Sequence, residues 1–292
     1  MNGKSSYRVS ESSEPPAKTS KTTSPLEWLL SDEAFNLANP EIPEGHGEAD
    51  WTDGTAKTPP PEDAGKAKSR SKAKNEEDTI LRYPQSELTP FQNLVSACIL
   101  SKPLSHKLGL RTIQTLLNPP FGLRTLKDLD EAGYEGRRKV MWEARTQHKE
   151  KTASQLGDVV DGIRELCGSE DGDDQLDHLE GLRHSLKGLK SAKEVQDSLV
   201  DKLTTIKGIG PGVASIFLRR VQGDWEEVYP YADDRCLGAA RSFGLIKDNE
   251  GAEELAEKVG KGDRRKFVRI LDTLIGIQLE KKLDEAIKQA GV

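Results

Sequence analysis

The stretch LTTIKGIGPGVASIFL, Leu203–Leu218, sets three glycines and a proline between two apolar runs. Leu203, Ile206 and Ile209 lie before or within the turn, and Val213, Ala214, Phe217 and Leu218 follow it at helical spacing. Gly208 and Gly210 can adopt backbone angles closed to other residues. Pro211 suits the first turn of a helix, where its missing N–H costs nothing. The pattern predicts two helices joined by a glycine turn, with free backbone N–H groups at the start of the second. Such a terminus attracts an anion without a positive side chain, and Lys207 sits beside it. A plain tight corner between two helices is the alternative. The pattern argues against a nucleotide-binding P-loop, because no Lys-Ser/Thr pair follows and no strand is expected before the turn.

Around this turn the pattern is helical from about residue 77 onward. Thr89 is placed as an N-cap with Pro90 at the first helical position, and Phe91, Leu94, Val95, Cys98 and Ile99 recur at helical spacing. Further helices are expected at Leu108–Leu117, at Leu126–Glu131 with Gly133 as a stop, and over Arg137–Leu166 as one helix or two. Others are expected at Ala192–Thr204, Gly212–Val221, Asp233–Phe243, Ala252–Val259 and Arg264–Ala290, with an acidic loop over Gly168–Gln175. No run of alternating β-branched residues is long enough for a sheet, so the fold class is all-α. Residues 1–76 are rich in Ser, Thr, Pro, Glu and Lys and read as a disordered tail. Within it, residues 25–38 carry Leu26, Trp28, Leu29, Leu30, Phe35 and Leu37. That segment can fold as a short amphipathic helix, packed on the domain or holding a protein partner. Gly65–Lys74, GKAKSRSKAK, reads as a nuclear address, a DNA-contacting tail or a solvated linker.

The 292 residues carry a net charge of −6, which argues against an overall basic coat but leaves room for a local basic face. Cys98, Cys167 and Cys236 are far apart, so they form neither a zinc site nor a four-cysteine iron–sulfur cluster. No metal site or cofactor is expected. No window approaches the roughly 18 apolar residues of a membrane span, and no secretory signal is evident. The expectation is a nuclear protein, with the cytoplasm as the alternative.

The turn and its flanks resemble the helix-hairpin-helix element, which grips a DNA backbone phosphate. The stretch VYPYADDRCLGAARSFGL, Val228–Leu245, makes the resemblance more specific. In the helix-hairpin-helix base-excision DNA glycosylases, an aspartate opens the next helix about twenty residues past the turn. Asp233 lies 21 residues beyond Gly212. With Asp233 as the match, Cys236, Leu237, Ala239, Ala240 and Phe243 share one helical face, whereas Asp234 would bring Arg241 onto it. The early run FQNLVSACILSKPLSH also looks like the family's opening helix pair. The resemblance covers roughly Leu88 to Leu279.

The resemblance implies an all-α glycosylase-like domain that acts on double-stranded DNA bearing a damaged or mismatched base. Asp233 would be catalytic, because a carboxylate beside the deoxyribose stabilises the positive charge of the breaking glycosidic bond. Lys207, Gly208, Gly210 and Gly212 would hold DNA phosphate, with room for a monovalent cation at the turn. Gly212 stands where strand-cleaving members carry lysine, so hydrolysis should be monofunctional. Tyr231, Asp234 and Arg235 are candidates for the base pocket or for support behind Asp233, with Tyr229 beside them. Several positions depart from the family: Lys102-Pro103 replaces a gap-filling Gln, and Asp234-Arg235 replaces a Thr-His pair. Two other readings stay open, a non-catalytic DNA-binding module and a protein-interaction scaffold. Asp233 is also a plausible helix cap, a role compatible with catalysis.

Overall fold

The computed structural model describes residues 24–42, 80–168, 172–260 and 262–292, and all regular structure among them is helical. The basic run Gly65–Lys74 and most of the expected tail lie outside the described residues. The helices begin where short polar side chains can accept backbone N–H bonds. Ser24 and Ser31 cap α1 (Pro25–Leu29) and α2 (Asp32–Ala38). Thr89 caps α3 (Pro90–Leu100) in a reciprocal capping box with Gln92, and Ser105 caps α4 (His106–Leu117).

The middle of the chain folds into α5 (Leu126–Glu131), α6 (Gly133–Glu143) and α7 (Lys149–Cys167). The expected stretch Arg137–Leu166 is therefore two helices, separated where Arg145 and His148 take left-handed φ values of 53° and 55°. The expected acidic loop Gly168–Gln175 is only partly a loop. Its end enters the short α8 (Asp173–Asp177), which is followed by α9 (Glu180–His184).

The hairpin is α10 (Ala192–Thr204) and α11 (Pro211–Val221). A 3-10 turn, Glu226–Val228, leads to α12 (Asp234–Ser242). The chain ends in α13 (Ala252–Gly260), α14 (Arg264–Leu279) and α15 (Leu283–Ala290). The single helix expected over Arg264–Ala290 is broken at Glu280–Lys282, where Lys281 turns to a φ of 57°.

Two apolar cores meet at α11 and α14. The first gathers Phe91, Leu94 and Ile99 of α3 with Leu199 and Leu203 of α10 and Val213, Phe217 and Leu218 of α11. The second gathers Cys236, Ala240 and Phe243 with Phe267, Leu271 and Leu274. Trp28 and Leu29 of α1 belong to this second core, and Trp28 stacks on Phe243 with ring centroids 6.2 Å apart. Phe35 of α2 is buried, with the Arg269 guanidinium 4.2 Å from its ring centroid. The segment 25–38 is thus two helices that complete the domain, and its apolar face is covered by the chain itself. Its tight seat is visible at Gly276 of α14, where an added Cβ would stand 2.5 Å from the Ala38 carbonyl oxygen.

Candidate active site

Helix α12 starts at Asp233 because that carboxylate completes its first turn. Asp233 Oδ1 accepts the Cys236 N–H at 2.9 Å. Its Oδ2 accepts from Arg219 Nη1 of α11 at 2.6 Å. Arg219 is buried, and the Asp233 side chain keeps 17% of its surface exposed. Burial works against the charge on Arg219. The groups around it, with Asp233 and Asp272 carrying the negative charge, outweigh that and raise its pKa. The next residue, Arg220, forms a buried ion pair with Asp272 of α14 and lies 5.1 Å from the Tyr83 ring centroid. Burial again opposes the charge on Arg220, and Asp272 more than offsets it.

Asp233 opens onto a cavity of about 750 Å³ at the junction of the two cores. That volume lies within the roughly 300–1,000 Å³ of small-molecule sites. Gly212, Asp234 and Arg235 line the same cavity, as do Lys102, Arg219 and His106. The structure therefore brings the start of the second hairpin helix and Asp233 to one cleft. Asp234 and Arg235 are exposed at its mouth.

The turn itself is built around Gly208, whose φ is +89°. Its carbonyl accepts from Gln155 Nε2 of α7 at 2.5 Å. Gln155 Oε1 in turn accepts from Lys102 Nζ, so one side chain ties the α3–α4 loop to the hairpin. A Cβ on Gly208 would meet Gln155 Cγ at 2.9 Å. Gly210 caps α11 with its backbone and Pro211 follows at the first helical position. Among the described residues none accepts from the backbone N–H of Gly210 or Gly212. Lys207, Gly208 and Gly210 lie outside the lining of the cavity. The Lys207 side chain is 81% exposed and its Nζ is 3.1 Å from Asp158 Oδ1. These three residues and Gly212 thus form a strip that leads to the cavity at its Gly212 end.

Of the two places open to the loop tyrosines, the structure puts both behind Asp233 and outside the lining of the cavity. Tyr231 does not line the cavity: its hydroxyl hydrogen-bonds Ser215 Oγ at 2.9 Å and its backbone pairs with the Gln222 side chain. Tyr229 packs edge-on to Phe267, with centroids 5.4 Å apart. Both tyrosines hold the loop that delivers Asp233 to its place. The aromatic ring that does line the cavity is Tyr83, whose hydroxyl burial pushes its pKa up.

No motif in the sequence marks Arg219, Asp272, Tyr83, His106 or Glu280 as part of a site. The doublet Arg219-Arg220 on the otherwise apolar α11 was the available signal, since two buried guanidiniums require two carboxylate partners. Burial lowers the pKa of Lys102, with Lys151 nearby adding to the effect and Cys98 opposing it. Burial pushes the Cys98 thiol up to about 12, which leaves it a packing residue. Among the described residues no group of His, Cys, Asp and Glu side chains could hold a metal ion, and no helix is long and apolar enough to cross a membrane. No protein-family model, no curated protein and no solved structure matches the chain.

Proposed function

We propose that this chain is a helix-hairpin-helix DNA glycosylase that hydrolyses the glycosidic bond of a damaged or mismatched base and leaves the strand intact. The observation that carries this reading is the shared cavity: the Asp233 carboxylate and the Gly212 end of the hairpin line one cleft. DNA phosphates would lie along the exposed strip at Lys207, Gly208, Gly210 and Gly212. The backbone amides at Gly210 and Gly212 would complete the grip, as at other helix N-termini that bind phosphate. The target nucleotide would leave the stack and enter the cavity, at a cost of a few kcal/mol. There Asp233 would stabilise the positive charge developing on the sugar and take the proton of the attacking water. With Gly212 in place of an amine and Lys207 outside the lining of the cavity, the hairpin brings no amine to the sugar. Such chemistry belongs with DNA, and a nuclear location fits it.

A second reading, a non-catalytic DNA-binding module, is favoured by one observation. Each oxygen of Asp233 already serves the protein, one as helix cap and the other in the pair with Arg219. A carboxylate retained only for those tasks would look the same.

Purified protein incubated with duplexes bearing uracil, hypoxanthine, alkylated, oxidised or mismatched bases, followed by alkali, separates the two. Alkali-labile sites that vanish in Asp233→Asn while binding persists support the enzyme. Salt-sensitive binding with no cleavage on any duplex supports the module.

A further inference from the structure

The cavity wall carries a histidine that neither the sugar chemistry nor the DNA grip employs. His106, the first residue of α4, lines the cavity with a side chain only 5% exposed. Its Nδ1 lies 3.0 Å from Oε1 of Glu280, the residue that ends α14. A carboxylate can only accept, so the ring proton sits on Nδ1. The ring edge turned away from Glu280 carries Nε2. Among the described residues none hydrogen-bonds to Nε2. A buried imidazole fixed on one side and unengaged on the other, in the wall of an open cavity, is arranged to meet an occupant.

We propose that His106 contacts the extruded base and donates a proton to it as the glycosidic bond breaks, with Glu280 as the positioning residue behind it. This deepens, and rests on, the glycosylase reading. The bond between C1′ and the base nitrogen breaks, and its electron pair goes to the base. In the imidazolium form His106 carries a second proton on Nε2, and that proton passes to a ring nitrogen or exocyclic oxygen of the leaving base, leaving the neutral ring with its proton on Nδ1. Water adds to C1′ and its proton goes to Asp233.

The chemistry names a substrate class. A base that already carries a formal positive charge, such as 7-methylguanine, departs without protonation. An uncharged base, such as uracil or hypoxanthine, leaves as an anion unless an acid serves it. A protonating side chain in the cavity is of use only for uncharged bases.

The charged surroundings set the pH dependence. Burial lowers the His106 pKa, and Glu280 raises it part of the way back. Arg219 of α11 lowers it and Asp272 of α14 raises it. Lys107 sits on the far oxygen of Glu280, at 3.7 Å. Lys102, Asp233, Asp234 and Arg235 share the cavity wall, and burial raises the Tyr83 pKa, which keeps its hydroxyl neutral. The imidazolium therefore gains population as pH falls through and below the ordinary histidine range, about 6.5. Excision of an uncharged base should rise along the same limb.

The experiment is single-turnover excision by the full chain on duplexes carrying uracil, hypoxanthine or 7-methylguanine, between about pH 5.5 and 8. His106→Gln should slow release of the uncharged bases by roughly 100-fold or more, remove the acid limb, and slow 7-methylguanine far less. Glu280→Gln should keep the limb but move it to lower pH. Equal loss on charged and uncharged bases, or no loss on either, overturns the proposal. If the wild type releases neither these bases nor any other lesion of the wider panel, the glycosylase reading fails on its own. The ring-nitrogen NMR signals of His106 then decide the base contact. A shift of Nε2 on adding free hypoxanthine, absent on adding inorganic phosphate, supports it, and unmoved signals overturn it.

Discussion

Arg219 Nη1, in the second hairpin helix, donates at 2.6 Å to Asp233 Oδ2, 14 positions further along the chain at the start of α12. This pair couples the hairpin proposed to grip DNA to the carboxylate proposed to act on the sugar. It also makes a buried guanidinium and a largely buried carboxylate depend on each other. Arg219→Met should therefore lower unfolding free energy by about 3–5 kcal/mol, because the carboxylate left behind loses its partner. Urea denaturation of both proteins at one pH measures the difference. A change under about 1 kcal/mol would mean that water serves Asp233 as well as Arg219 does.

The seating of the N-terminal helices gives a second expectation. Trp28→Ala removes a large side chain stacked on Phe243 in the second core and should cost about 3–5 kcal/mol. Gly276→Ala should cost about 1–3 kcal/mol, since its Cβ would sit 2.5 Å from the Ala38 oxygen and must push α2 off α14. Thermal unfolding of each variant checks both. Wild-type melting of either one would show that residues 25–38 contribute little to the domain.

The glycines of the hairpin should respond unequally. Gly208 combines a φ of +89° with a Cβ direction blocked by Gln155 at 2.9 Å. Gly208→Ala should destabilise by about 1–3 kcal/mol. Gly212 has open space around the added Cβ and lies inside the first turn of α11. Gly212→Ala should be neutral, or stabilising by up to about 1 kcal/mol. Circular dichroism melts compare the two, and equal losses would contradict this account of the turn.

Much of this site was legible locally. The hairpin, its proline and the cap at Asp233 are each set by residues within one turn of each other, so spacing and cap chemistry place α10, α11 and α12 to within a residue. What escaped depends on contacts between distant parts of the chain. Nothing near Lys281 marks the break that ends α14 at Glu280 and lets that carboxylate reach His106, 174 residues away. Nothing near Trp28 says that Phe243 will cover it. The choice between the two places open to Tyr231 depends on such contacts too: only the fold shows its hydroxyl bonded to Ser215.

The strut from Lys102 through Gln155 to the Gly208 carbonyl yields a fourth expectation. Gln155→Leu removes both hydrogen bonds and should loosen the turn while leaving the core intact. Affinity for a duplex should fall, with the salt dependence of binding unchanged, because no phosphate-neutralising charge is lost. Fluorescence anisotropy across a salt series measures both quantities. A flatter salt slope in the variant would show instead that Lys102 neutralises a phosphate and needs Gln155 to do so.

The central claim, that Asp233 breaks a glycosidic bond, is tested most directly by single-turnover base release from the panel of lesion duplexes. The comparison is wild type against Asp233→Asn, with folding and DNA affinity of both proteins measured alongside. Asn keeps a cap for α12 but not the charge. The account predicts release of at least one lesion by the wild type and a loss of roughly 100- to 1,000-fold in the variant at matched affinity. Release that is equal in both proteins, or absent in both while DNA still binds, would contradict it.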